Sequence, residues 1–225
     1  MAGFADATGL MAFWSDIDDD YVLRYQEWHN CEHVPERVAI PGFLRGRRYR
    51  DGSGAAHFLM MYETAATSVL SSDAYLAALN APTDWTREAL THFRNPVRNI
   101  YSLLAGAGAP GAFCAPWLMA LRFNAPDVEA AQGWVAAIAS ADGIDRAQLW
   151  AVDEAVSGIQ TSERKIYGGG PGEQQYLLLI EATSPGATTE TALQAADRAT
   201  PGMTSRTDVI PGQYWLEIFH EAPEN

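Results

Sequence analysis

Cysteine is scarce. Cys31 and Cys114 are the only two in 225 residues, and they form no CxxC. No disulfide framework can be built from them, and a cytoplasmic protein with free thiols is the simplest account. Positive charge is also short: 15 Lys and Arg against 28 Asp and Glu give a formal charge of −13. Such an acidic surface repels phosphate backbones, so nucleic-acid partners are not expected. No apolar run approaches the roughly 20 residues that cross a bilayer, so a membrane partner is not expected either. The opening stretch, Met1 to Asp6, lacks the basic start and apolar core of a signal peptide. What remains is a globular composition, 48% hydrophobic and 19% charged. Its length suits one large domain or two small ones.

The pattern β-α-β-β-α-β occurs twice. Leu10 to Trp14 alternates as a strand, and Tyr21 to Val38 reads as a helix broken by Pro41-Gly42. Phe43–Arg50 and His57–Glu63 read as a hairpin around Asp51-Gly52-Ser53-Gly54. Ser68–Leu79 and Asp84–Phe93 read as helices, with Thr83 capping the second, and Val97–Leu104 closes the unit. After a small-residue stretch the order repeats. Leu118-Met119-Ala120 echoes Leu10-Met11-Ala12, Ile144–Trp150 matches Phe43–Tyr49, and Tyr176–Glu181 matches Phe58–Glu63. Thr189–Arg198 and Tyr214–Phe219 complete the second unit. Four echoes in one order indicate an internal duplication. Residues 1–105 form the first repeat, 106–116 a linker and 117–225 the second repeat.

The copies differ in two places. Ala12 to Gly42 spans 30 residues and Ala120 to Gly143 spans 23, so the first copy is longer by about two helical turns. The extra length holds Trp28-His29-Asn30-Cys31-Glu32-His33. Gly42 to Glu63 spans 21 residues and Gly143 to Glu181 spans 38, so the second copy carries 17 more between its middle strands. That insertion, with Gly168-Gly169-Gly170-Pro171-Gly172, reads as a solvated hairpin extension before it reads as a lid over 159–173. It is not a phosphate loop, because no Lys-Ser/Thr follows the glycines.

His29 and His33 are four apart, and Glu32 is three after His29, so the three share one helical face. Imidazole and carboxylate together can move protons near neutral pH or bind a metal. The spelling H-x-x-E-H also occurs in inverted zinc peptidases. No third ligand is evident here, however, and Pro35 disfavours α geometry at Val34, so the helix is expected to end or kink after His33. No metal and no cofactor is assigned. The structural alternative is that the histidines cap helical carbonyls while Glu32 or Glu36 pairs with Arg37. Arg45, Arg47, Arg48 and Arg50 crowd one strand. Alternation puts Phe43, Arg45, Arg47 and Tyr49 on one face, where an arginine can meet a carboxylate or phenolate. The competing account is charge protecting a sheet edge.

Two such units, with Trp-His…Glu-His…Pro-Gly-Phe in the first, resemble the dimeric α+β barrel (ferredoxin-like) superfamily. Within it the chain is most similar to the EthD-like and the uncharacterised stress-responsive or cyclase-like branches. The resemblance implies an α+β fold, in which two tandem ferredoxin-like repeats set their antiparallel sheets face to face as a barrel with a small-molecule pocket. It also allows a homodimer. The expected function is acid–base chemistry of the cyclase, isomerase or cofactor-free monooxygenase type on a compact cyclic or aromatic substrate. His29, His33 and Glu32 would be catalytic, with Arg45, Arg47, Tyr49, Trp28 and Tyr62 binding substrate. A non-catalytic binding or carrier protein is the alternative, and a metal or haem enzyme using His29 and His33 is the third reading.

Overall fold

The computed structural model describes residues 7–110 and 113–223. Met1 to Asp6, the stretch read for a leader, lies outside the described residues, as do 111 and 112 of the expected linker. The strands are β1 (Gly9–Ile17), β2 (Phe43–Asp51), β3 (His57–Thr64), β4 (Phe93–Gly108), β5 (Trp117–Asn124), β6 (Ile144–Val152), β7 (Tyr176–Ala182) and β8 (Thr207–Glu221). The helices are α1 (Val22–Trp28), α2 (Val34–Val38), α3 (Asp73–Asn80), α4 (Asp84–Leu90), α5 (Ala131–Ala139), α6 (Glu154–Ser157), α7 (Ser162–Tyr167) and α8 (Ala187–Ala199). The strands close into a barrel in the hydrogen-bonded order β1-β3-β2-β8-β5-β7-β6-β4. This is the α+β architecture expected from the two β-α-β-β-α-β repeats. Among the described residues no helix is long and apolar enough to cross a membrane.

Two compact units share these elements. Of the described residues, one contains 7–101, 153–172 and 217–223, and the other contains 102–110, 113–152 and 173–216. β4 and β8 each contribute to both units. They run for 16 and 15 residues, well beyond the Val97–Leu104 and Tyr214–Phe219 expected from alternation. Asn95 (φ 50°) and Asp208 (φ 51°) account for the missed N-terminal ends. Each puts a left-handed residue near the strand's start, a conformation that Asn and Asp tolerate best. Each therefore breaks the period-2 pattern by which a strand is recognised.

The central strands of the two units have one register. Leu10 and Arg45 both pair with Glu63, while Leu118 and Arg146 both pair with Glu181. In both units the strand shifts register just before the arginine, between Phe43 and Arg45 and between Ile144 and Arg146. The bulge corrects the expected face. Phe43 turns onto the helix side, packing on Tyr62 and Tyr75, while Arg45, Arg47 and Tyr49 point the other way. The edge-charge account of these arginines also fails, because β2 lies between β3 and β8. Arg45 and Arg47 are 2% and 1% exposed and both bind Glu63, at 2.7 and 2.8 Å. Arg146 binds Glu181 in the same way.

Over the sheet of the first unit lie α1 and α2, joined by a π turn, His29–His33. Pro35 does not stop this helix. Val34 is α-helical (φ −65°, ψ −49°), and its amide reaches back to the His29 carbonyl. The wider turn re-registers the ladder just before the residue that has no N–H to donate. Gly46 beneath it allows the close approach, since a Cβ there would stand 2.9 Å from Val34 and 3.0 Å from Tyr62.

The inserted segment is not a solvated hairpin. It forms α6 and α7, capped by Asp153 and Thr161, and packs within the first unit with Glu163 and Arg164 buried. The Arg164 guanidinium donates to the carbonyls of Ser157, Ile159 and Gly169, tying the segment to itself. Gly169 (φ +96°) lets its end lie against Pro96.

Removing the acid under β2 should expose how much the arginines depend on it. Glu63→Leu leaves two buried guanidiniums without their shared carboxylate and should cost about 3–5 kcal/mol in urea denaturation. Arg87→Ala on the exposed face of α4 should stay within about 0.5 kcal/mol.

Candidate active site

A cavity of about 40 Å³ lies in the first unit between the helices and the sheet. Its walls alternate along the strands: Met11 and Phe13 from β1, Met60 and Tyr62 from β3. Trp28, His33 and Arg37 come from the α1–π–α2 helix, Tyr75 and Leu79 from α3, and Phe93 and Arg98 from β4. Thr161, Glu163 and Tyr167 come from the inserted segment. The volume suffices for about three waters.

Of the residues expected from sequence, the structure gathers His33, Trp28 and Tyr62 at this cavity. His33 is 8% exposed, and its ring packs on Trp28 with centroids 4.4 Å apart. Its Nδ1 is buried without a hydrogen-bond partner. Burial holds the imidazole well below its usual range, with Arg37 and His29 adding to the effect. His29 is fully buried one step behind. Arg48 Nη1 stands 3.2 Å from its Nδ1, and Tyr62 Oη stands 3.2 Å from its Nε2. Burial lowers its pKa as well, and the Arg48 charge lowers it further.

Glu32 goes elsewhere. Its carboxylate accepts from Thr83 (2.6 Å) and Thr86 (3.2 Å), while Trp28 Nε1 donates to Thr86 Oγ1. It fastens the start of α4 and does not reach the imidazoles as expected. Thr83 caps α4 as expected. Arg45, Arg47 and Tyr49 lie on the opposite face of the sheet from the cavity. Arg45 and Arg47 bind Glu63, and Arg47 Nη1 donates to Tyr49 Oη at 3.4 Å. His57 and Arg94 bind Asp16 and Asp18 and do not line the cavity.

The sequence did not single out Arg37 and Glu163 as site residues, whereas Arg98 was among the residues that could approach a cavity. Arg37, expected beside Glu36, lies 3.7 Å from it but forms its close hydrogen-bonded pair with Glu163 of the insertion. Burial pushes the Glu163 carboxyl up to about 7 against the pull of Arg37. Arg98 donates to Tyr75 Oη at 3.2 Å. The one usable signal was the length of the second copy's insertion, which did not say where it would pack.

The donor set does not fit zinc. Both His29 nitrogens are engaged, and among the described residues no third His, Cys, Asp or Glu joins the two histidines. A haem does not fit either, since 40 Å³ is far below the roughly 300–1,000 Å³ of pockets that enclose larger ligands. What the arrangement can do is hold an anion beside a neutral imidazole and a carboxyl group that titrates near neutrality.

By fold and site, then, this is a ferredoxin-like α+β barrel protein with a buried polar cavity under its first helical layer. Among solved structures the chain is similar to an anthrone oxidase-like protein (TM-score 0.61, 8% identity, covering 97% of this chain and 94% of that one). It is also similar to a candidate monooxygenase of Fusobacterium nucleatum (0.59, 9%, 96% and 95%) and to one from Lactobacillus acidophilus (0.58, 8%, 96% and 97%). No protein-family model and no curated protein sequence matches the chain. At such identities the likeness is one of fold.

The buried titratable groups set a pH dependence. The histidines bind protons more weakly folded than unfolded, so their contribution is complete above pH 6.5 and is lost as pH falls. Glu163 acts oppositely: its contribution is present below its ordinary 4.5 and lost as pH rises through about 7. Between pH 6.5 and 4.5 two groups oppose one, a net loss approaching about 1.4 kcal/mol per unit of acidification. Glu163→Gln removes the offset and should roughly double the slope in urea titrations. An unchanged slope would refute this account.

Proposed function

We propose that the protein is an enzyme that moves protons on a small anionic or enolisable molecule held in this cavity. The observation that carries the reading is the buried, unpartnered Nδ1 of His33 in a cavity that also presents two guanidiniums. A neutral imidazole without a partner is a base in waiting. It takes a proton from an acidic C–H or phenolic O–H. Arg37 and Arg98 stabilise the enolate or phenolate charge left behind. Glu163, titrating near 7, is suited to return a proton to the product.

The cavity's size limits what is enclosed to a carboxylate, enolate or phenol oxygen and its nearest atoms. The ring of a compact cyclic substrate would sit toward the mouth and fill space as α6 and α7 move outward. This is the chemistry of cyclases, isomerases and cofactor-free monooxygenases, consistent with the EthD-like and cyclase-like resemblance. The monooxygenase and anthrone oxidase-like names of the similar structures lend support of the same kind. A carrier without chemistry would be better served by an apolar lining with both histidines satisfied, and His33 is not satisfied.

Native mass spectrometry of freshly purified protein should reveal the retained molecule. Turnover of that compound should fall about 10²–10⁴-fold in His33→Gln, with the melting temperature nearly unchanged. Loss of folding in place of turnover would return His33 to a structural role. The moving segment has its own assay, because Lys165 on α7 is the chain's only lysine and is exposed. A lysine-specific protease should cut the closed protein slowly. Arg164→Ala, which unties the segment, should speed that single cut at least tenfold. Equal rates would mean that the segment does not open as a unit.

A further inference from the structure

We propose that Glu217, Arg48 and His29 form a positioning relay that makes Tyr62 a hydrogen-bond donor to an oxyanion in the cavity. The inference rests on the reading of the cavity as a site for an anionic group. It starts from a restriction on His29. Arg48 has only N–H groups to offer, so the Nδ1 that faces it must accept. A neutral imidazole with Nδ1 accepting carries its proton on Nε2. Nε2–H then donates to Tyr62 Oη.

The opposite arrangement, with Tyr62 donating to Nε2, would place Nδ1–H against the guanidinium, donor against donor. With its oxygen occupied as acceptor, the Tyr62 hydroxyl keeps its own proton to give. Among the described residues nothing accepts that proton, and Tyr62 lines the cavity. The direction is imposed from the far end. Glu217 accepts from Arg48 Nε at 2.7 Å, and Asn30 Oδ1 accepts from Nη1 at 2.8 Å. Gln26 Nε2 donates to the other Glu217 oxygen at 2.9 Å. Arg48 is therefore held on both sides and cannot swing away to release Nδ1. The relay gives His29 a role distinct from that of His33: it never leaves the neutral form and never exchanges a proton with substrate.

The groups facing His29 are Arg48, with Glu217 behind it, and Tyr62, Tyr25 and His33. The one acid among them, Glu217, is bound to Arg48 and Gln26 rather than to the imidazole. Nitrogen-15 NMR of the intact chain should thus show His29 as the Nε2–H tautomer, with no titration between pH 5 and 8. An Nδ1–H tautomer, or a midpoint in that range, would overturn the relay whatever the cavity binds.

Acetate, small enough for the cavity, probes the donor. Tyr62→Phe should weaken acetate binding about tenfold, and His29→Leu should weaken it as much. His29→Gln should restore it, because the amide oxygen can accept from Arg48 while the amide N–H donates to Tyr62. Unchanged affinity in His29→Leu, with that variant folded, would sink the relay while leaving the anion site standing. Failure of the wild type to bind acetate, with the tautomer as stated, would sink the anion site and with it the role of Tyr62 as donor.

Discussion

The buried ion pair between Arg37 and Glu163 is what the candidate site depends on. One partner sits on the helix that carries His33, the other on the segment inserted into the second repeat. Each side chain is almost wholly buried, so neither charge is tolerable alone. Their attraction therefore fastens the segment over the cavity, and several consequences follow. His33 and Glu163 are both buried beside the cavity, so desolvation is the main influence on each. Burial thus holds the imidazole neutral and lifts the carboxyl toward neutrality, while the Arg37 charge strengthens the first effect and opposes the second.

The duplicated scaffold shows what is architecture and what is site. Arg45–Glu63 and Arg146–Glu181 occupy corresponding positions, next to corresponding bulges, in both units. A feature kept in both halves is explained by the sheet, and these arginines belong to it. The helix-to-sheet layer differs between the halves. In the second unit Trp134 fills it, donating to Asp197, with Arg206 stacked over the indole at 5.1 Å and bound to the same aspartate. In the first unit the corresponding layer has a longer helix with a π turn, and the space beneath is lined by His33, Arg37, Arg98 and Tyr62.

The fold was legible because period-2 and helical patterns recur in one order, and repetition protects against a single misread element. His33 and Trp28 were legible because the long copy could be compared with the short one, whereas Tyr62 stood out only as one of several single residues able to approach a cavity. The rest was hidden for physical reasons. A bulge at β2 reverses parity, and nothing in Phe43-Leu44-Arg45 announces it, so alternation put Phe43 on the wrong face. Glu163 lies 126 residues from Arg37, and no local rule connects them. Glu32 keeps the spacing that faces His29 on a helix, yet the hydroxyls of Thr83 and Thr86, brought up by α4, hold its carboxylate. Spacing places a side chain on a face, but partners from other elements decide its use.

The two histidines carry that point to its end. They are one turn apart on the same helix, both buried and both held neutral, with ring centroids 5.8 Å apart. Sequence gives no ground for treating them differently. The difference lies in what surrounds the nitrogens. His29 is gripped on one side by an arginine that is itself fixed, and on the other by a phenol. A proton moved to or from it would break two hydrogen bonds in a dry interior. His33, which lines the cavity, has a buried Nδ1 with no hydrogen-bond partner. The H-x-x-E-H pattern is therefore neither a metal site nor a pair of equivalent bases. It is a helix turn in which one imidazole is held at both nitrogens and the other keeps a buried nitrogen without a hydrogen-bond partner.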